Sequence, residues 1–250
     1  MSEFKTLNMD DIRLKFLLNL SVPIEGIGEF KAPLLSEIVN LTENIYNQSL
    51  SSILFTKNSL EYNEEMEKHS DFEILLSAVN FDDSFRELFF YGINLHLNKE
   101  PVLHESGLIY FDDLSEENIL TEEKFNYFKS MVIVANNLQS PKEEEEYKAG
   151  NERAAKFMER LKKNKEMVAK AKAKQQPPIN LHSLISAVGW KAKSFDFINQ
   201  LNIYQLYDGY FRLGVLDNYH YTMQGIYSGT VDGSKIKLPE INWANVIKIN

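Results

Sequence analysis

The chain contains no cysteine. That absence removes disulfides, thiolate zinc sites and cysteine nucleophiles together, and it fits a cytosolic protein. No apolar run approaches the length that spans a bilayer, and the opening residues (MSEFKTLNMDD) lack the pattern of a signal peptide. Positive charge is in deficit: 27 Lys and Arg stand against 36 Asp and Glu, for a net charge of −9. Such a balance opposes general affinity for nucleic acid.

Catalytic signatures are missing too. The five histidines (His69, His96, His104, His182 and His220) include no pair at a metal-ligand spacing, and H-E-x-x-H is absent. Gly26 and Gly28 form a G-x-G with no G-K-S/T after it, so no phosphate loop is expected. His104-Glu105-Ser106-Gly107 lacks a G-x-S-x-G context and reads as a turn. The doublets Asp10-Asp11, Asp82-Asp83 and Asp112-Asp113 carry charge enough for a divalent ion, but each stands where a helix cap is expected. No catalytic, cofactor or metal site is expected, and the chain reads as a non-enzyme.

What is present is a chain of 250 residues, 44% apolar, enough for one or two domains with a real core. Its clearest helix is Ser140 to Gln176. Ser140 is positioned as N-cap, Pro141 as N1 and Glu143 as the N3 residue of a capping box. Glu143 to Glu146 lie at the positive end of the dipole and Lys170, Lys172 and Lys174 at the negative end. Glu144–Lys148, Glu152–Lys156, Glu159–Lys163 and Glu166–Lys170 are i, i+4 pairs in the favourable order, each worth roughly 0.2–0.5 kcal/mol. Pro177-Pro178 stops it. From Lys156 to Lys174 eight basic side chains face two acidic ones. Lys162, Lys163, Lys165, Lys170, Lys172 and Lys174 are therefore candidate nucleic-acid contacts, although no aromatics interleave them and a solvated helix end explains the charge as well.

Before this helix, residues 12–20 are ambiguous between strand and helix. Val22 to Gly28 suggests a hairpin. Pro33 opens a helix with Leu34, Leu35, Ile38 and Val39 on one face, and Asn44 to Phe55 forms another. Residues 61–70 read as a solvated helix face or loop. Asp71 to Val79 is apolar again, and Asp82 and Asp83 precede a helix carrying Phe85, Leu88, Phe89 and Ile93. Residues 101–111 read as a hairpin turning at Ser106-Gly107. Thr121 caps a helix with Phe125, Phe128, Val132, Ile133 and Leu138 that runs to Pro141.

After it, Leu181, Leu184, Ile185 and Val188 predict a helix stopped near Gly189, and Phe195, Ile198 and Leu201 form a second apolar set. Asn202 caps the sharpest amphipathic segment, with Ile203, Leu206, Tyr207, Tyr210 and Phe211 at i, i+3, i+4, i+7 and i+8. These five are the candidate partner-binding residues; the stripe of Tyr204, Tyr207, Tyr210 and Phe211 reads as core or partner-contact packing rather than a stacking platform, because its spacing is helical and only Arg212 is a close cation. Tyr219 to Tyr227 predicts one more helix ending at Gly229, and Trp243 is expected to pack back onto these helices. The fold class expected is mainly α, with short β-hairpins near the N-terminus and around residues 101–111. The division expected is a mostly helical domain at 1–139, a charged helix or linker at 140–178 and an aromatic-rich helical region at 179–250.

Four stretches stand in a familiar order: VPIEGIGEFKAPLLSEIVNL, LTEEKFNYFKSMVIVANNL, the charged SPKEEEEYKAGNERAAKFMERLKKNK, and LHSLISAVGW with INQLNIYQLYDGYFRL followed by GIYSGTVDG and a late tryptophan. Together they resemble phage and prophage tail-region proteins of Gram-positive bacteria, of the tail assembly chaperone kind. The resemblance implies a helical, non-catalytic protein of the host cytoplasm that binds the tape measure protein while tail tube protein polymerises around it. A structural tail or virion component is the neighbouring reading. Further partners implied are other copies of the chain; neither a membrane nor a cofactor is implied.

Overall fold

The structure, a computed structural model, describes residues 7–57, 68–138 and 179–245. Among them are nine α-helices and two short antiparallel hairpins, so the fold is mainly α. The expected central helix, with its six candidate lysines, lies outside the described residues, as does most of 61–70.

The ambiguous segment 12–20 resolves as helix α1 (Met9–Leu17). Its cap is Asn8, which accepts from the Asp11 N–H; Asp10 and Asp11 sit inside the first turn, on the positive end of the dipole. Ile12 and Phe16 face the core. Asn19 then takes a left-handed conformation, and the Leu20 N–H returns to the Lys15 carbonyl at 2.8 Å, closing the helix end as a Schellman motif.

Strands β1 (Val22–Ile24) and β2 (Gly28–Phe30) pair with Val22 opposite Phe30 and Ile24 opposite Gly28. Their turn requires glycine: Gly26 has φ 78°, and a Cβ there would lie 1.8 Å from the Glu117 carbonyl oxygen. Helix α2 (Leu35–Leu41) follows, buried through Leu35 and Ile38. Val39 was expected on the same face but is 58% exposed. The helix has only seven residues, and the bridge between Leu34 and Asn202 fixes its rotation.

Helix α3 (Glu43–Ile53) packs on α5 (Asp83–Leu97), where the absence of a side chain at Gly92 lets Ile53 and Ser49 approach. Between them in sequence, α4 (Asp71–Phe81) begins with a Ser70–Glu73 capping box. Asp82 caps α5 by accepting from the Ser84 and Phe85 N–H groups. The second hairpin joins β3 (Val102–Leu103) to β4 (Ile109–Tyr110).

Helix α6 (Glu122–Ala135) is capped by Thr121 as expected, but it stops short of Leu138 and Pro141. The reason is local. Asn137 is left-handed, the Leu138 N–H bonds the Ile133 carbonyl and the Asn137 N–H the Val134 carbonyl, which makes a second Schellman motif. Asn136 is buried there, donating to the Val132 carbonyl and accepting from the Tyr46 hydroxyl.

Helix α7 (Leu181–Ala192) runs past Gly189, the expected stop. Gly189 is buried because the Phe195 ring lies over it; a Cβ would meet Phe195 Cε1 at 2.5 Å. The chain reverses instead at Lys193, which is left-handed. After the single turn α8 (Phe195–Ile198), helix α9 (Ile203–Tyr227) continues unbroken for 25 residues. The two helices expected here are one. Gly214 costs about 1 kcal/mol inside a helix, but breaking the chain there would leave two further sets of unpaired backbone groups.

One hydrophobic cluster holds these parts together. Phe16, Phe30, Phe89, Phe111, Phe125 and Phe128 are its largest fully buried side chains, and Leu181, Leu184, Val188, Ile198, Leu201, Ile203 and Leu206 belong to the same cluster. Phe30 meets Phe16 at 5.4 Å and Phe128 edge-on at 5.5 Å, contacts worth about 0.5–1.5 kcal/mol each beyond area burial.

Candidate functional site

The amphipathic segment that opens α9 divides when folded. Ile203 and Leu206 are buried in the core, while Tyr207 and Tyr210 are partly buried against it and Phe211 touches Tyr210 edge-on at 5.5 Å. Tyr204 packs edge-on against Phe16 at 5.9 Å. Burial, then the charge of Asp208, pushes the Tyr204 phenol above its ordinary value; burial, then Glu43, does the same for Tyr207. Arg212, the cation beside this stripe, is bound elsewhere: its Nη1 donates to the carbonyls of Trp243 at 2.7 Å and Asn245 at 2.8 Å. The tail returns to α9 as expected, but through its backbone, and the Trp243 ring stays about half exposed.

Past Leu206 no residue of α9 is buried. Residues 213–227 contain a single full charge, Asp217, and it is paired with Lys191 of α7 at 2.8 Å. Tyr221 is 71% exposed on this length of helix. On the neighbouring elements Trp190 is 72% exposed and Phe197 52%, and Trp190 contacts Phe195 edge-on at 5.6 Å. Aromatic rings of this size are unusual in water without a partner. These exposed rings on α7, α8 and outer α9 are the candidate site.

The sequence held a signal for part of it. Leu181, Leu184, Ile185 and Val188 define the inner face of α7, and Trp190 falls two residues beyond, on the opposite side of the helix.

The polar candidates serve turns and caps. The His104 Nδ1 accepts from the Ser106 N–H at 3.2 Å and lies 2.9 Å from its hydroxyl, within the second hairpin. Asp83 pairs with Arg86 and Asp112 with Lys99, and Asp113 accepts from the Ser115 N–H and the Asn118 amide. These hydrogen bonds, Ser115 first, hold the Asp113 carboxyl below the usual range. Among the described residues no cluster of three or more His, Asp or Glu is placed to hold a metal ion, and no helix is long and apolar enough to cross a membrane.

Residues 171–248 match the family model described as the YomV second domain, a family associated with Bacillus phages and prophages. That span includes α7, α8, α9 and the returning tail, and with them the exposed aromatic rings. No curated protein and no solved structure matches the chain.

Proposed function

We propose that the chain is a non-catalytic tail assembly protein of a phage or prophage, acting in the host cytoplasm as a chaperone for the tape measure protein. The observation that carries this reading is the coincidence of the phage-associated match with the exposed aromatic rings. A long apolar partner helix must be kept from aggregating until tube protein encloses it. Trp190, Phe195, Phe197 and Tyr221 offer it amphipathic rings of the type that dominate helix-in-groove contacts. Tape measure and tail tube proteins are the partners on this reading.

Co-expression tests it. The tape measure protein of the parent phage, insoluble alone, is expected to remain soluble and co-purify with this chain. Trp190→Ala is expected to weaken the complex by at least about tenfold, the scale of an aromatic hot spot. A tape measure protein that precipitates equally with and without this chain would remove the chaperone role.

A further inference from the structure

His96 is fully buried near the end of α5, 1% exposed, between two aromatic rings. Phe30 of β2 lies at 5.1 Å in a tilted stack, and Phe128 of α6 meets the ring edge-on at 5.8 Å. The Nδ1 atom is 2.7 Å from the Gly92 carbonyl. A carbonyl can only accept, so Nδ1 carries the hydrogen and Nε2 carries the lone pair. Nε2 is buried and has no partner. The same residue ties the hairpin to α5 through its backbone, because the Lys31 N–H donates to the His96 carbonyl at 2.8 Å.

We propose that His96 is an acid-sensitive latch holding the first hairpin to α5 and α6, released when a proton enters at Nε2. That proton would place a full charge and an unpaired donor between the rings of Phe30 and Phe128. A cation over an aromatic face recovers about 0.5–2 kcal/mol, which opposes release. Burial outweighs it and pushes the imidazole down to about 4, against the opposing hydrogen bond to the Gly92 carbonyl. Among the described residues no neighbouring charge intervenes. Glu29 of the hairpin faces Ser21; Lys124 and Lys129 of α6 reach the carbonyls of Glu117 and Phe55; Lys99 pairs with Asp112; and Tyr46 of α3 bonds Asn136.

The sign follows from linkage. The folded value lies below the ordinary 6.5, so the unfolded chain binds the proton more tightly. Stability from this group is complete above 6.5 and is lost progressively as pH falls toward 4. Between pH 7 and pH 5 this group alone raises the unfolding constant roughly twentyfold.

Urea unfolding of the full chain at pH 7 and pH 5 reads the effect, with His96→Leu as the non-titrating control. The wild-type constant is expected to rise about twentyfold more than that of the variant. Equal pH dependence in both would overturn the proposal. Should His96→Leu fail to fold, amide exchange in the wild type decides. The Lys31 amide is expected to lose protection at pH 5 before the amides of α9, and simultaneous loss in both would show global unfolding with no latch.

Discussion

The Asn202 side chain donates to the Phe16 carbonyl at 2.8 Å, across 186 residues of sequence. The same Nδ2 reaches Asn19 Oδ1 at 3.1 Å, while Oδ1 accepts from the Gln205 N–H at 2.9 Å. Gln205 completes the junction, with Oε1 accepting from the Asn202 N–H and Nε2 donating to the Leu17 carbonyl. The capping box of α9 thus satisfies carbonyls left over at the end of α1. It also sets the positive end of one helix dipole against the negative end of another. Two backbone bonds flank it, Leu35 N–H to the Leu201 carbonyl and Ile203 N–H to the Pro33 carbonyl, both at 2.9 Å.

Asn202→Ala removes an N-cap and the side-chain donor to the Phe16 carbonyl, so a loss of about 1–3 kcal/mol is expected. Asn202→Asp keeps the cap but lacks the donors, and it should remain well below wild type. Urea midpoints with unchanged slope would report both.

Gly189 and Gly214 are both helical glycines, and they should respond oppositely to alanine. At Gly189 the new methyl meets Phe195, which predicts a loss of about 1–3 kcal/mol. At Gly214 nothing lies within 4 Å, and helix propensity predicts a gain of about 0.5–1 kcal/mol. Thermal unfolding of the two variants would show melting temperatures on either side of wild type.

How much of this was legible beforehand depends on distance along the chain. Asn202, Thr121 and Asp82 announce their caps within four residues, and the two hairpins announce themselves by alternation and glycine. The partners of the Asn202 amide lie nearly two hundred residues away, and no local pattern encodes them. Gly189 reads as a stop because a glycine's tertiary neighbour is invisible in sequence. The stripe from Ile203 to Phe211 has one periodicity but two fates, and only packing separates Leu206 in the core from Phe211 at its edge. Trp190 was legible as off-face; its exposure was not read from that.

The Tyr46 hydroxyl and Asn136 form a buried pair joining α3 to the end of α6. Burial raises the Tyr46 phenol far above its ordinary value, and the hydrogen bond to Asn136 only partly opposes this. Tyr46→Phe leaves the Asn136 oxygen unpaired and should cost about 1–3 kcal/mol. A double-mutant cycle with Asn136→Ala should give a coupling energy of at least about 0.5 kcal/mol; additivity would mean the pair contributes nothing.

Glu73 closes the capping box of α4. The Ser70 N–H, followed by His69, holds its carboxyl below the usual 4.5. A depressed carboxylate stabilises the fold above its unfolded value, and that contribution disappears as pH falls through the folded one. Carbon-detected titration should find the Glu73 midpoint below those of surface glutamates, and His69→Ala, which removes the side-chain contribution, should bring it part of the way back toward them.

The last residues to enter the hydrophobic cluster are Leu201, Ile203 and Leu206. A ribosome that has released the chain only to residue 180 has therefore made Phe16 without Tyr204, whose ring packs edge-on against it. Translation finishes most of the molecule before its interior can be sealed, and a nascent chain paused there would present its own rings to the cell.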